Sequence, residues 1–262
     1  SDKPAFGTIL KPTAGILPDK VADLVGQAAE CPLFFFVKED ENLYPHLDYS
    51  PVKERVRLAV QRIREVKERT GGPGLIFAPH ISGSPDEIAR TVEAVLEVGA
   101  NAVMFSESYA GGAVRMVREA TRHLDQPPAI YGHNGGIGTR THAIWREVID
   151  MFVRLDGIDF RQTAPVTPGE PFLKPYGREW LASESMLSRE MAGIKATTLV
   201  RAGGLDQGNI GLNLTDAAER KITDNVLYLA GSAINSIKNS QGQSDPHIGT
   251  AAMMQAVEVH ES

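Results

Sequence analysis

Short apolar runs alternate with amphipathic stretches along the whole chain. Each apolar run has the length and composition of a strand buried on both faces. These predicted strands span 7–11, 33–38, 74–79, 102–106, 129–133, 158–162, 197–202 and 226–231. The stretches with helical spacing span 19–29, 51–70, 85–98, 114–124, 143–155, 184–191, 214–221 and 249–259. Ser50-Pro51 and Ser84-Pro85 are typical helix starts, with proline at the first helical position.

This alternation predicts an α/β fold, a (β/α)8 TIM barrel, formed by a single domain over residues 1–262. A doubly wound open sheet also alternates strands and helices, but eight units in a chain of this length match a closed barrel more closely. One long segment, 163–179, contains Pro165, Pro168, Pro171 and Pro175 and is predicted to be irregular and non-helical.

Composition narrows the class of protein. With 42% hydrophobic and 23% charged residues the chain is an ordinary globular protein. A formal net charge of -6, with scattered basic residues, argues against nucleic acid or an acidic membrane surface as a partner. No apolar run reaches membrane-spanning length, and the single cysteine, Cys31, excludes an internal disulfide. A cytoplasmic location is therefore expected.

Polar side chains follow the first six predicted strands. In a TIM barrel the carboxyl ends of the strands carry the chemistry, so residues from distant parts of the sequence meet there. The residues at these strand ends are Lys11, Lys38 with Asp40 and Glu41, His80, Ser106 with Glu107, His133 with Asn134, and Arg161 with Gln162. For His80 and Glu107 a hydrogen-bonded structural role is the expectation.

The second strand runs without a break into a lysine and three carboxylates. On a strand of period two, Lys38 and Asp40 point to the same side, and Glu41 can turn toward them where the strand ends. Carboxylates at this spacing favour a hard cation such as Mg²⁺. Lys38 then either forms a salt bridge with the acids or is converted by carbon dioxide into an anionic carbamate. The structural alternative is an acidic strand end that is simply solvated.

Glycines follow the last two predicted strands. Ala202-Gly203-Gly204 ends strand seven, and Gly231-Ser232 follows strand eight. Backbone N–H groups at such positions approach an anion closely, and the seventh and eighth loops of barrels commonly bind phosphate. Either segment alone also fits an ordinary turn, whereas both together favour a phosphate site.

These motifs resemble the catalytic barrel of the ribulose bisphosphate carboxylase (RuBisCO) large subunit, and more closely the RuBisCO-like proteins that lack carboxylase activity. The resemblance covers essentially the whole chain and is carried by Gly7-Thr8-Ile9-Leu10-Lys11-Pro12 and by Phe36-Val37-Lys38-Glu39-Asp40-Glu41-Asn42. It implies a carbamylated Lys38 that binds Mg²⁺ together with Asp40 and Glu41, and a catalytic Lys11. It also implies that His133 is an active-site histidine and that residues 202–204 and 231–232 bind phosphate.

Departures from the carboxylase pattern argue against carboxylation of ribulose bisphosphate. Thr13 stands where carboxylases have a second lysine, Asn134 where they have an arginine, and Arg161 at the position of a further histidine. The sixth loop is the proline-rich segment 163–176, and its Lys174 has a different context from the lysine of the carboxylase lid. The family features that this sequence keeps are the metal ligands, the groups for enolisation and one phosphate site.

The resemblance also concerns parts of the family outside this chain. Family members carry an amino-terminal α/β domain that closes over the barrel of a neighbouring subunit, and this sequence begins close to the first barrel strand. The expectation is a barrel without that domain, either excised or lost. A homodimer is expected for the full-length protein.

The leading interpretation is a Mg²⁺-dependent enzyme acting on a phosphorylated ketose or keto acid, by enolisation with an isomerase or a transcarboxylase/hydrolase outcome. Candidate bases are Lys11, the carbamate oxygen on Lys38, and His133. Arg161-Gln162 is expected to bind a substrate carboxylate, which favours an acidic substrate, or else to form a salt bridge inside the barrel mouth. The alternative function is a non-catalytic barrel that binds sugar phosphates.

Overall fold

The computed structural model describes residues 4–166, 176–242 and 245–261. Its main sheet contains eight parallel strands: β1 Ala5–Ile9, β2 Phe34–Lys38, β3 Ile76–Ala78, β4 Ala102–Phe105, β5 Ala129–Gly132, β6 Phe160–Thr163, β7 Thr198–Ala202 and β8 Val226–Ala230. Their order in the sheet is β3-β2-β1-β8-β7-β6-β5-β4. The edge strands β3 and β4 meet where Met104 N donates to Pro79 O at 2.9 Å and Ile81 N donates to Met104 O at 2.8 Å. The predicted TIM barrel is confirmed.

Eight longer helices accompany the strands in the described part of the chain. They are α1 Pro18–Glu30, α2 Val52–Thr70, α3 Pro85–Leu96, α4 Ala113–Thr121, α5 Arg146–Leu155, α6 Tyr176–Ser188, α7 Ile210–Glu219 and α8 Pro246–Glu261. Shorter elements lie in the loops: a hairpin of His46–Leu47 with Ser50–Pro51, the helical turns Gly138–Thr141 and Ser232–Asn235, and the 3-10 turns Glu107–Tyr109 and Thr223–Asn225. None of the described helices is both long enough and apolar enough to cross a bilayer.

The core has two layers, one inside the barrel and one between the strands and the helices. Inside the barrel the ring of Phe36 packs against Phe160 at 4.9 Å and against Tyr131 at 5.7 Å between centroids. Gly7 allows β1 to approach β2, because a Cβ atom there would lie 2.1 Å from the carbonyl oxygen of Phe36. A close-packed interior leaves open space only at the ends of the barrel.

Helix starts were predicted with mixed success. Ser84 forms a capping box, accepting from Glu87 N at 3.4 Å while the Glu87 carboxylate accepts from Ser84 N at 2.7 Å. The prediction for Ser50-Pro51 was wrong by one position: both residues lie in the hairpin, and α2 begins at Val52. Helix α2 therefore starts without a side-chain cap.

The largest boundary error concerns the segment before β7. A helix was predicted over 184–191 and an irregular segment over 163–179, but α6 begins at Tyr176, and Thr163 belongs to β6. The reason is that the prolines exclude helix only up to the last of them, and a chain can enter a helix directly after proline. Residues 167–175, including Pro168, Pro171, Pro175 and Lys174, lie outside the described residues.

Candidate active site

A cavity of about 690 Å³ opens at the carboxyl ends of the strands. It brings together residues that are distant in sequence, from the ends of β1, β2, β5 and β6 and from the loops after β7 and β8. The lining residues are Ile9, Lys11, Lys38, Asp40, Glu41, His133, Gln162, the segment 203–208, and the segment 231–233. This position and size fit the substrate site of a barrel enzyme.

Lys11 and Asp40 form an ion pair across the ends of β1 and β2. The Lys11 side chain is 32% exposed to solvent, whereas the Asp40 side chain is fully buried. The second carboxylate oxygen of Asp40, Oδ1, accepts from Asn42 N at 2.9 Å and from Asn42 Nδ2 at 2.7 Å. Asn42 therefore fixes the carboxylate by occupying Oδ1. The other oxygen, Oδ2, which pairs with Lys11, is the one available to a ligand.

Lys38 is fully buried beside them. Its ammonium Nζ donates to Glu39 O at 3.1 Å and to Glu41 Oε2 at 3.3 Å, and it lies 5.8 Å from the centre of the Tyr131 ring. Burial lowers the pKa of Lys38, and the negative charges of Glu41 and Asp40 only partly oppose that shift. The amine is therefore biased toward its neutral, nucleophilic form.

Glu41 joins Lys38 to His133. Its Oε2 atom lies 3.3 Å from His133 Nε2, and this hydrogen bond holds the pKa of Glu41 well below its usual range. On the other side of the ring, Nδ1 of His133 accepts from Gly135 N at 2.9 Å, so the ring carries its proton on Nε2. Burial lowers the pKa of His133, which keeps the imidazole neutral.

A buried ion pair holds the β2 loop from behind, and sequence analysis did not find it. Glu39 points away from the cavity and pairs with Arg55 of α2, Oε1 with Nε at 2.7 Å and Oε2 with Nη2 at 2.9 Å. The same Oε2 accepts from His80 N at 2.9 Å, and the His80 ring bonds to Leu43 O at 3.1 Å. His80 thus has the structural role that was expected of it. Side chains alternate in direction along a strand, so Lys38 and Asp40 face the cavity while Glu39 faces away from it. This alternation is the sequence signal that could have identified Glu39 as a structural residue.

The donors in the cavity fit a divalent cation only when Lys38 contributes an anion. Among the described residues, no group of three or more histidine, cysteine, aspartate or glutamate side chains can hold a metal. Asp40 and Glu41 supply two carboxylates, and a buried lysine of lowered pKa within 3.3 Å of Glu41 is the group that carbon dioxide can convert into the third. Three oxygen ligands on one side suit Mg²⁺, which keeps its other positions for water and substrate.

The glycine loops after β7 and β8 form the wall next to β1. Gly203 and Gly204 have φ angles of 91° and 88°, and a Cβ atom on either would have no neighbour within 4 Å, so the backbone itself faces open space. Asn209 Nδ2 holds the loop by donating to Gly204 O at 2.7 Å. Gly231 and Ser232 line the same cavity, whereas Ala202 is buried in the barrel interior beneath it.

The loop after β7 also contributes an acid that sequence analysis missed. Asp206 lines the cavity, and its Oδ1 accepts from Gly208 N at 2.8 Å and from Asn209 N at 3.0 Å. These amides precede α7, so the carboxylate already occupies them. A phosphate group would therefore bind on the Gly203-Gly204 and Gly231-Ser232 side of the cavity.

Of the two roles expected for Arg161, the structure shows a salt bridge, although behind the barrel wall and not in the barrel mouth. This side chain is fully buried and points into the layer between the barrel and its helices, where Nε pairs with Asp150 at 2.7 Å and Nη1 with Glu107 at 2.8 Å. Both carboxylates raise the pKa of Arg161 against the effect of burial. Adjacent strand residues face opposite sides, so Arg161 and Gln162 do not act as a pair, and Gln162 alone lines the cavity.

Similarity to known proteins agrees with this geometry. The family model described as ribulose bisphosphate carboxylase large chain, catalytic domain, matches residues 1–175. An uncharacterised ribulose bisphosphate carboxylase-like protein of Bordetella bronchiseptica is 33% identical over 161 residues, which cover 60% of this chain and 36% of the relative. A 3-oxo-isoapionate-4-phosphate decarboxylase of Rhizobium rhizogenes is 31% identical over 185 residues, covering 66% of this chain and 42% of the relative. The chain thus spans about two-fifths of the length of these relatives.

A solved structure supports the fold over the whole chain. The RuBisCO-like protein from Burkholderia fungorum superposes with a TM-score of 0.81 at 23% identity, covering 100% of this chain and 61% of the other. At that identity the similarity concerns the fold. Since the family model covers more than half of the residues, the chain belongs to the family of the ribulose bisphosphate carboxylase large chain catalytic domain.

Proposed function

We propose that this chain is the catalytic barrel of a Mg²⁺-dependent RuBisCO-like enzyme that enolises a phosphorylated ketose or keto acid. One observation carries the proposal: Lys11, Lys38, Asp40 and Glu41 converge on one wall of a cavity whose adjoining wall, after β7 and β8, is glycine backbone. The first wall suits a metal and proton transfer, and the second suits a phosphate group. The name of the Rhizobium rhizogenes relative, a decarboxylase of a phosphorylated oxo acid, is consistent with this class of substrate.

Asp40, Glu41 and a carbamylated Lys38 would hold the cation. When bound, Mg²⁺ stabilises negative charge that develops on a substrate oxygen as the neighbouring carbon loses its proton. The chain itself keeps the ligands in position: Asn42 orients Asp40, and His133 holds Glu41 from the other side. Glu39 and Arg55 anchor the end of β2 and the loop after it, which carry all three.

Hydrogen bonding narrows the choice of base. In the described arrangement both ring nitrogens of His133 are engaged, Nδ1 by Gly135 N and Nε2 by Glu41, so His133 has no free lone pair to accept a proton. Lys11 lines the cavity and is partly solvent-exposed, so it is the accessible alternative once its ammonium group has lost its proton to solvent and become a neutral amine. The proposal therefore assigns proton abstraction to Lys11 or to the carbamate on Lys38, and orientation of Glu41 to His133.

Carboxylation of ribulose bisphosphate is not proposed. Among the described residues that line the cavity, Lys11 and Lys38 are the cationic ones, and both lie on the β1–β2 side. A second phosphate group would find Gln162 instead of a charge on the β5–β6 side. A single phosphate therefore fits better, on Gly203, Gly204, Gly231 and Ser232. Cytoplasmic location and a homodimer of the whole protein complete the proposal.

Proton exchange in deuterated water, followed by NMR, tests the proposed activity. The purified protein, with Mg²⁺ and bicarbonate, is incubated with a set of ketose and keto-acid monophosphates and with a bisphosphate. Exchange at the carbon beside the carbonyl of a monophosphate is the expected result. Binding without exchange would indicate the alternative, a non-catalytic sugar-phosphate barrel, and exchange with the bisphosphate alone would contradict the single phosphate site.

The metal site is tested with Lys38→Ala. This change removes the residue that becomes the third ligand, so Mg²⁺ binding measured by calorimetry in bicarbonate should fall at least about a hundredfold. Lys53→Ala serves as the control, because Lys53 is an exposed lysine of α2 that pairs with Glu97 at 2.7 Å, away from the cavity. Equal Mg²⁺ affinity in the two variants would reject the carbamate assignment.

A further inference from the structure

The β5–β6 wall of the cavity is organised around the amide of Gln162. The Tyr131 hydroxyl donates to Gln162 Oε1 at 2.7 Å, and Gln162 Nε2 donates to Asn134 Oδ1 at 3.0 Å. Tyr131 is fully buried and Gln162 is 6% exposed, so the amide is held at both ends in a packed environment. Its orientation is fixed before any substrate enters.

One hydrogen of this amide has no protein acceptor. The Nε2 group of Gln162 carries two hydrogens, and Asn134 accepts one of them. No other described residue accepts from Nε2, and Gln162 lines the cavity. The β5–β6 wall therefore offers one uncharged N–H donor to a bound substrate.

The basic side chains nearest this donor are engaged by other groups: Arg146 donates to Gln162 O at 3.5 Å and pairs with Asp150 at 3.4 Å. The neighbouring Arg161 lies on the opposite face of β6, neutralised by Asp150 and Glu107. The two lysines of the cavity lie across it on β1 and β2 and pair with Asp40 and Glu41. An anionic group against Gln162 would lose water without gaining a counter-charge, whereas a hydroxyl or carbonyl oxygen needs only the N–H.

We propose that Gln162 is a specificity-determining residue that donates to an uncharged oxygen at the phosphate-free end of the substrate. The inference rests on the proposed function and narrows its substrate class to monophosphates with a hydroxyl or carbonyl group at that end. Because Tyr131 and Asn134 fix the amide, Gln162 distinguishes this end from a carboxylate or a second phosphate by charge as well as by geometry.

The test uses matched substrates that differ only at that end. A ketose monophosphate ending in a hydroxymethyl group is compared with the same molecule oxidised there to a carboxylate, and kcat/KM for proton exchange is measured for both. The protein should prefer the hydroxyl-ended compound by about tenfold or more. Gln162→Met keeps the length of the side chain and removes the donor, so kcat/KM should fall about tenfold for the hydroxyl-ended compound, mainly through KM, and change little for the acid.

Two further variants sharpen the result. Gln162→Glu is isosteric and places a carboxylate on the wall, so it should disfavour the acid further. Asn134→Arg brings a cation to a half-buried position beside Gln162 and should raise the acid-to-hydroxyl ratio about tenfold. Gln61→Met is the control, since Gln61 lies on the exposed face of α2 and should leave both values unchanged.

Two outcomes would overturn the inference. One is equal or better turnover of the acid by the unchanged protein, and the other is a Gln162→Met loss of equal size for both compounds, which would show a purely structural role. If no phosphate exchanges at all, the proposed activity fails on its own. In that case, calorimetry gives the dissociation constants of the hydroxyl-ended compound and of the acid for the protein and for Gln162→Met. The inference then requires these dissociation constants to show the preferences predicted above for kcat/KM.

Discussion

Two clusters of charged side chains in this fold differ in position and in chemistry. The lysine cluster faces the cavity at β1 and β2, and the arginine cluster lies behind β6, between the barrel and its helices. The lysine cluster is Lys11, Lys38, Asp40 and Glu41, and the arginine cluster is Arg161, Asp150 and Glu107. The lysine cluster has two basic side chains and the arginine cluster has one, each with two carboxylates, yet only the lysine cluster lines the cavity.

The difference follows from the cation and from how completely it is paired. The guanidinium of Arg161 meets two buried carboxylates at 2.7 and 2.8 Å, and its proton cannot be removed in the working pH range. Lys38 has a single carboxylate at 3.3 Å, and burial lowers its pKa. An arginine paired with two carboxylates stabilises the fold, whereas a lysine paired with one keeps a reactive amine.

The largest predicted effect concerns the arginine cluster. Asp150→Ala leaves the fully buried Arg161 with one carboxylate, so the free energy of unfolding should fall by about 3–5 kcal/mol. Denaturant unfolding followed by circular dichroism measures the change. Lys53→Ala breaks an exposed pair in the same chain and should have little effect. A loss below about 1 kcal/mol for Asp150→Ala would mean that the cluster does not stabilise the fold.

His80 provides a second comparison, because its lowered pKa predicts that part of the stability depends on pH. Burial lowers the pKa of His80 to about 4 from its ordinary 6.5. The unfolded chain therefore takes up a proton first as the pH falls, so the stability due to neutral His80 is complete above pH 6.5 and is lost between pH 6.5 and about 4. The loss over that window should be about 3 kcal/mol.

The measurement compares unfolding free energies of the protein and of His80→Asn across pH 4 to 8. Asparagine can keep the hydrogen bond to Leu43 O but has no titrating group, so the difference between the two proteins should shrink as the pH falls through the window named above. Parallel curves would show that His80 does not carry the pH dependence.

The smallest predicted effect concerns the lysine cluster. Lys38→Met replaces a fully buried amine with an apolar side chain of similar length, so the free energy of unfolding should stay constant or rise by about 1 kcal/mol, while proton exchange is lost. The expected change in the free energy of unfolding therefore has the opposite sign to that of Asp150→Ala. Unfolding measured without Mg²⁺ and bicarbonate gives the value, and a loss above about 2 kcal/mol would place Lys38 among the stabilising groups.

Much of the fold and part of the site could be predicted from the sequence. The eightfold alternation predicted the barrel, and period two predicted that Lys38 and Asp40 share a face, which the cavity lining confirms. The glycines after β7 and β8 also line that cavity. These features depend on local spacing and on a rule common to all such barrels, so the sequence contains them.

Other features depended on partners distant in sequence. Period two states that Arg161 and Gln162 face opposite sides, but only packing decides which faces inward: Phe160 meets Phe36 at 4.9 Å inside the barrel, while Arg161 finds Glu107 and Asp150 outside it. The sequence by itself determined the barrel and the lysine–carboxylate motif, because both are local patterns. The tertiary structure decided which charges are neutralised and which remain reactive, because pairing depends on distances that folding alone sets.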